Sequence, residues 1–341
     1  MASQIGVSSQ KSVNLYPLKF EPIYQYRVWG GRRLAGFLSK PLPAGESVGE
    51  AWLLSDREAK SSIVSAGSLK GKSLTELLAL YPVELMGELA GKFARFPLLL
   101  KFLDAKETLS VQVHPSDRQT KLIPRGESGK TEAWVVLATG PEAKIYAGLK
   151  QGTTEPVLRN AVANNTVADY LPSFTPKIGD AVFIQATTVH TLGDVVVFEI
   201  QENSDVTFRL YDWDRVDPKT GKPRDLQVDQ ALASINYSQV PVKPVTPVVE
   251  ESEPTARERL FACRHFGLWR ARGTSTFSVG EAGKPRVLVC TEGTGRLESG
   301  GKAFSIVRGD VFLLPAVVGI CEFIPTGVAT LLDISLPEPR P

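Results

Sequence analysis

Two of the three histidines in this chain, His114 and His190, fall in short segments that read as strand and keep polar company. His114 ends the run Gln112-Val113-His114, and Glu132 ends Lys130-Thr131-Glu132. Side chains two apart on a strand share a face, so Gln112 and Ser110 point where His114 points, and Lys130 points with Glu132. Imidazole, carboxylate and amide donors without thiolate suit a divalent cation such as zinc, iron, nickel or manganese. Three protein ligands, or three and a weak fourth, leave one coordination position open, as in a catalytic rather than a structural centre. A lone histidine on a strand is more often packed or solvated. Two of them joined by Glu132 favour metal. His265 has no such setting and reads as structural.

Downstream of His190 the chain is dense in polar groups: Glu199, Gln201, Asp205, Arg209, Asp212, Asp214 and Arg215. Such a run is most often a solvent-facing strand and loop. Here the spacing of Glu199, Gln201 and Asn203 lets them line one interior face, and Arg209 offers a planar, bidentate donor suited to phosphate. No glycine-rich phosphate loop or dinucleotide fingerprint is present, so side chains would have to hold any phosphate.

The elements that must position these groups are mainly strands. Phe96–Leu103, Leu109–His114, Ala133–Ala138, Asp180–Ile184, Val195–Gln201 and Val206–Leu210 read as strand, among turns rich in glycine and proline. Two stretches read as helix. Leucines at 74, 77, 78, 85 and 89 recur at helical spacing over 73–92, where Ser73 caps the start and Pro82 splits the run. The second stretch is 154–170. Residues 1–14 read as a loose arm, 15–240 as the catalytic domain, 241–254 as a Pro- and Val-rich linker or strap, and 255–341 as a second β domain of short strands between glycine turns. The fold class is mostly β, with short helical insertions.

A repeat supports two related barrels. His190 follows Gly179-Asp180 by the same eleven residues that separate Gly309-Asp310 from Ile320, and an apolar strand follows each Gly-Asp pair. The pattern resembles the second motif of cupin (jelly-roll) barrels, in which glycine, proline, glycine and a metal-binding histidine recur at these offsets. The first copy keeps Gly179 and His190, with Gln185 and Thr187 in the proline and glycine places. The second keeps Gly309 and Pro315 but has Ile320 in the histidine place. One barrel is therefore expected to hold metal, and the other to have lost that ability.

More specific stretches are Val48-Gly-Glu-Ala-Trp52, Leu109-Ser-Val-Gln-Val-His-Pro-Ser-Asp117, Gly129-Lys-Thr-Glu-Ala-Trp134, Val189-His-Thr-Leu-Gly193 and the run from Ser204 to Arg215. Over residues 15–240 the chain resembles the type I mannose-6-phosphate isomerases, in their compact bacterial form. The resemblance implies one zinc ion per chain, with other divalent metals as alternatives, held by Gln112, His114, Glu132 and His190. It implies a catalytic Arg209, a phosphate seat of Ser110, Arg215 and Arg209, and a cavity lined by Glu50, Lys101, Lys130, Glu199 and Asp205.

The implied reaction interconverts D-mannose 6-phosphate and D-fructose 6-phosphate through an enediolate, by proton transfer between C1 and C2. It needs an electrophile for developing oxygen charge, a base and a remote phosphate grip. The base is open among Glu199, Lys130, Asp205 and a hydroxide held by the metal. Two other readings are a non-catalytic cupin that binds sugar phosphate and metal, and an iron cupin oxygenase. The polar set at 199–215 exceeds what a bare binder needs, and Gln112 stands where such oxygenases often place another histidine. A net charge of +2 over 341 residues points to neither nucleic acid nor anionic membrane. Cys263, Cys290 and Cys321 form no Cys-x-x-Cys pair and read as buried apolar residues of a reducing compartment. With no apolar leader and no membrane-length apolar run, the expectation is a cytoplasmic protein. No pattern addresses oligomeric state.

Overall fold

The computed structural model describes residues 14–337 except Ser39, so the expected N-terminal arm, Asn14 apart, lies outside the described residues. The chain is mostly β and builds two cupin-like barrels, as expected. In the first, a nine-stranded sheet places Ala181–Ile184, Glu132–Ala147, His190–Glu202, Leu98–Ala105, Glu50–Leu54 and Ile23–Gln25 side by side. Val111–Val113 pairs with His190–Glu202 and with Phe208–Tyr211. The two longest strands, Glu132–Ala147 and His190–Glu202, pair antiparallel, with register shifts at Gly193/Val195 and Val196/Val197. Such bulges bend a strand pair and let the sheet curl.

Register assembles the chemistry. Trp52 lies opposite Lys101, Lys101 opposite Glu199, and Glu199 opposite Trp134, forming one row across four strands. A second row runs Arg209, Gln112, His190. Because alternate residues face opposite sides, a slip of one residue in any of these pairs would send a site group into the apolar layer.

The second barrel pairs a seven-stranded sheet with a four-stranded one. Pairing refines the division read from chain order. Leu18–Lys19 joins Val311–Leu314, so the first described strand belongs to the second barrel's sheet, not to the domain expected at 15–240. The expected strap instead crosses between barrels. Val242 and Val245 donate to the carbonyls of Ala147 and Ala181, and Val248–Glu251 then becomes an edge strand beside Thr255–Ala262. One apolar cluster runs from Leu54, Leu100 and Val135 to Val287, Leu313 and Leu332, so the barrels share a core.

The helical stretches form where the spacing puts them. Ser73 and Glu76 make a reciprocal capping box before Leu74–Leu80, and Pro82 opens a separate helix, Pro82–Met86, at the position where its missing N–H costs nothing. The second stretch is a helix, Glu155–Ala163, and a short 3₁₀ turn, Val167–Tyr170. Asn165 at φ 58° breaks it between the two.

The repeat is conformational as well as sequential. Gly179 and Gly309 take φ 90° and 91°, and each following aspartate accepts a backbone N–H three residues upstream, from Lys177 and Val307. Thr187 stands where a glycine is usual and still takes the backbone of one, at φ 80°. A β-branched residue is strained there. Its N–H donates to the His114 carbonyl at 2.7 Å and its carbonyl accepts from Asn236 at 3.1 Å, which fixes the turn before His190. Relief of about 1–3 kcal/mol of strain outweighs glycine's chain-entropy cost of about 0.5–1 kcal/mol. Thr187→Gly should therefore raise the melting temperature by about 2 °C with turnover unchanged. Calorimetry showing a lower value would mean that packing of the threonine side chain outweighs the strain.

Candidate active site

His114, Glu132 and His190 are each no more than 1% exposed. His114 Nε2 lies 3.5 Å from Glu132 Oε2, and His190 Nε2 lies 3.2 Å from Glu132 Oε1. The Gln112 amide is 3.2 Å from His190 Nε2. On the outer side, His114 Nδ1 is 2.7 Å from the Val206 carbonyl and His190 Nδ1 is 2.9 Å from the Thr188 carbonyl. A carbonyl only accepts, so both Nδ1 atoms carry the proton and both Nε2 atoms turn a lone pair inward. Burial, followed by the Lys130 ammonium, holds the His114 pKa well below the ordinary value, and burial brings His190 to about 4. Both rings are neutral at pH 7. Two lone pairs thus face a carboxylate whose Oε1 has no hydrogen-bond donor. The Lys130 ammonium and the Gln112 amide each reach one of these lone pairs, and the donor set of two imidazoles and a carboxylate has the chemistry of a site for one divalent ion.

Beside this cage opens a cavity of about 490 Å³, lined by Ser110, Gln112, Lys130, Glu199, Asp205 and Arg209 among others. That volume is in the range of small-molecule sites. Lys130 Nζ lies 2.7 Å from Glu132 Oε2 and 3.3 Å from His114 Nε2, joining cavity to cage. Burial works against its charge, but Glu132 and Glu199 more than offset that, so Lys130 stays an ammonium. Lys101 Nζ is 3.4 Å from Glu199 and 3.8 Å from both Glu50 and Asp205. Burial opposes the charge of Glu50 as well. Lys101 and Arg27 reverse the effect, and hydrogen bonds from Arg27 Nε at 2.8 Å and Trp52 Nε1 at 2.7 Å hold it ionised. Glu199 goes the other way, raised first by burial and then by the Glu132 charge. Its Oε2 accepts from Trp134 Nε1 at 3.0 Å, and its Oε1 is the oxygen that faces Lys101 Nζ at 3.4 Å.

Arg209, opposite Gln112 in the sheet, lines the same cavity, and its Nη1 donates to the Asp225 carbonyl at 2.7 Å rather than to a carboxylate. Burial and the Arg224 charge lower its pKa, and its buried Nε has no partner. Arg224 is on the same wall. Arg215, expected in the phosphate seat, is not among the lining residues. It is turned to Asp212 at 2.6 Å, the Thr108 carbonyl at 2.8 Å and Glu107 at 3.6 Å. The other expected cavity groups, Ser110, Lys101, Lys130, Glu50, Glu199, Asp205 and Arg209, come together. Sequence reading missed Arg27, Arg224 and Gln227. Arg27 carries a weak signal in retrospect, since it precedes a tryptophan and two glycines in a strand–turn stretch. Arg224 and Gln227 come from a loop after the Val216–Pro223 hairpin and carry none.

A family model described as phosphomannose isomerase type I, catalytic domain, matches residues 17–138. The chain is 35% identical over 311 residues to mannose-6-phosphate isomerase ManA of Bacillus subtilis, covering 90% of this chain and 95% of that one. The chain belongs to the type I mannose-6-phosphate isomerase family. It is also 31% identical over 310 residues to a mannose-6-phosphate isomerase of Streptococcus mutans, with 90% and 95% covered. Among solved structures, the mannose 6-phosphate isomerase of Bacillus subtilis superposes with a TM-score of 0.85 at 29% identity, over 94% of this chain and 99% of that one. A putative mannosephosphate isomerase of Archaeoglobus fulgidus shares the fold, with a TM-score of 0.76 at 23% identity, over 96% of this chain and 100% of that one. The type I isomerases are metal-dependent enzymes acting on a sugar phosphate, and this chain has a His/Glu/His cluster able to hold the metal. No helix among the described residues is long and apolar enough to cross a membrane.

In the second barrel an internal cation stands at the place that corresponds to Glu132. Ile184 pairs with Glu132 in the first barrel, and Leu314, at the same distance from its Gly-Asp, pairs with Arg286 in the second. Two residues on, Trp134 pairs with Glu199 and Leu288 with Asp333. The carboxylate position is thus taken by a guanidinium, 2.8 Å from the Asp333 carboxylate, with both side chains buried. This pair satisfies the second barrel's charge without a metal.

Proposed function

We propose that this isomerase interconverts D-mannose 6-phosphate and D-fructose 6-phosphate with one zinc ion per chain, held by Gln112, His114, Glu132 and His190. The observation that carries the reading is the buried His114, Glu132 and His190 cluster beside a cavity that Arg209 and Arg224 also line. Neutral imidazole and carboxylate suit zinc, and related divalent ions fit the same donors. When bound, the ion supplies Lewis-acid polarisation of the sugar's C1 and C2 oxygens.

The protein's own groups then divide the work. Arg209 and Arg224, with the Ser110 hydroxyl, hold the phosphate, and that remote grip aligns C1 and C2. Lys130, held charged by Glu132, donates to the oxygen on which negative charge develops. Glu199 takes the proton from C2 and returns it to C1. Its raised pKa suits a group that must both accept and release a proton. The hydroxyl proton moves meanwhile from the C2 oxygen to the C1 oxygen, so the isomerisation balances. Asp205, the most exposed of the carboxylates, balances Lys101 rather than serving as base.

The test is fructose 6-phosphate formation from mannose 6-phosphate before and after chelation, with zinc added back. We expect activity to vanish with the chelator and return at one zinc per chain. Metal-loaded protein without turnover would instead favour a binding cupin.

A further inference from the structure

The loop 115–131 begins directly after one cage residue, His114, and ends directly before another, Glu132. It is closed on itself: Lys130 N–H donates to the Pro115 carbonyl at 3.0 Å, and Gly129 N–H donates to Asp117 Oδ1 at 2.9 Å. A side chain at Gly129 would meet the Asp117 backbone nitrogen at 2.5 Å, so the closure depends on glycine. What holds this loop from outside comes from the other barrel. Arg264 and His265 sit in the tight turn between Thr255–Ala262 and Gly267–Gly273, at one end of a cleft of about 820 Å³ between the barrels.

Arg264 Nη2 donates to Asp117 Oδ2 at 3.0 Å, and its Nε donates to His265 Nε2 at 2.7 Å. Since Nε2 accepts, the His265 proton is on Nδ1, which faces Glu202 Oε2 at 2.9 Å. Glu202 Oε1 accepts the Thr131 N–H at 2.7 Å, and the Glu202 N–H donates to the Thr131 carbonyl at 3.1 Å. Thr131 lies between Lys130 and Glu132. The turn therefore grips both ends of the loop, one through Asp117 and the other through Glu202.

We propose that Arg264 and His265 are positioning residues through which the second barrel sets the spacing of His114 and Glu132, and so the retention of the metal. The inference rests on those two residues being metal ligands. Asp117, Glu202 and His265 are close enough together to suggest a second cation site. The structure argues against one, because Arg264 already occupies His265 Nε2 and Asp117 Oδ2. A guanidinium, fixed to the chain, stands where such an ion would be.

The experiment is a chelator competition on His265→Ala, Arg264→Ala and His265→Asn proteins, with apo-protein melting measured alongside. Wild-type protein that takes up no metal would refute the cage itself and leave the clasp unsupported. With the cage established, we expect His265→Ala and Arg264→Ala to hold metal several-fold to about 10-fold more weakly, the low end of what loss of a direct outer-shell partner costs, because both act through Asp117 and Glu202. Excess metal should restore kcat. His265→Asn keeps a donor in the Nδ1 position and should recover most of the affinity. Affinities within twofold of wild type in both alanine variants would overturn the proposal. So would weaker binding matched by a lower apo melting temperature and not rescued by asparagine, which is the mark of a merely structural contact. A second bound ion that disappears in His265→Ala would overturn it in favour of a metal site.

Discussion

His190→Ala protein should lose its metal and its isomerase activity together. The ring supplies one of two inward lone pairs in a cage that is no more than 1% exposed, and alanine supplies none. Loss of a ligand costs more than the roughly 10–100-fold lost with an outer-shell partner. A Lewis acid is worth several kcal/mol to the transition state, so turnover should fall by about a thousandfold or more. Metal analysis of the dialysed protein, beside a coupled assay, reads both quantities, and retained metal with near-normal turnover would remove His190 from the site. The same ring gives the apo-protein a pH signature. Burial lowers its pKa from 6.5 to about 4, so between these values the unfolded chain binds the proton that the folded chain refuses. Stability is fully present above pH 6.5 and is lost as pH falls towards 4, by about 3 kcal/mol from this group. His114 shifts in the same direction. His190→Ala apo-protein should show a shallower acid limb in its melting profile, and metal uptake by the wild type should weaken over the same interval.

The segments that carry the candidate cage were legible because each is local, whereas joining His190 to them rested on the resemblance to cupin barrels. Gln112 and His114, like Lys130 and Glu132, are fixed to one face by the two-residue period of a strand, and no knowledge of the fold is needed to pair them. The Gly-Asp repeat was legible for a similar reason: the turn it encodes is built within four residues, in both copies. Groups placed by long-range contacts were not. Arg224 reaches the cavity on a loop whose path is set by Asp212, which accepts from it at 2.6 and 2.8 Å. Arg215, three residues after Asp212, is placed in the phosphate seat by the family resemblance, and Arg224 lies outside the motif that carries it. His265 read as structural since its partner Glu202 lies in another barrel. Ala133–Ala138 reads as a short strand, and Gly140-Pro141 lies just beyond it. The strand in fact continues to Ala147. A bulge in the partner strand puts Asp194, at φ 52°, against Gly140, where its carboxylate accepts the Glu142 N–H at 3.0 Å and where any Cβ would collide.

Glu199→Gln and Arg209→Ala should fail in different ways, and the difference tests the division of labour in the cavity. Glutamine keeps the volume of Glu199 and can still accept from Trp134, but it cannot take a proton from carbon. General acid–base catalysis contributes about 10²–10⁴-fold, so kcat should fall within that range while KM and bound metal change little. Removing Arg209 leaves the cage untouched and takes a charged donor from the phosphate. A hydrogen bond to a charged group is worth about 1.5–3 kcal/mol, which corresponds to roughly 10–150-fold in kcat/KM. Part of that loss should appear in kcat, because phosphate binding energy also aligns C1 and C2. Arg209 has a second reason to matter: its Nε is buried without a partner and its charge is opposed by Arg224, an arrangement that an anion relieves. Inorganic phosphate should therefore protect wild-type protein against heat and protect Arg209→Ala protein much less. Steady-state kinetics and metal content on the two variants decide the matter. Normal turnover in Glu199→Gln would pass the proton transfer to another group. Normal kcat/KM in Arg209→Ala would leave Arg224 to hold the phosphate alone.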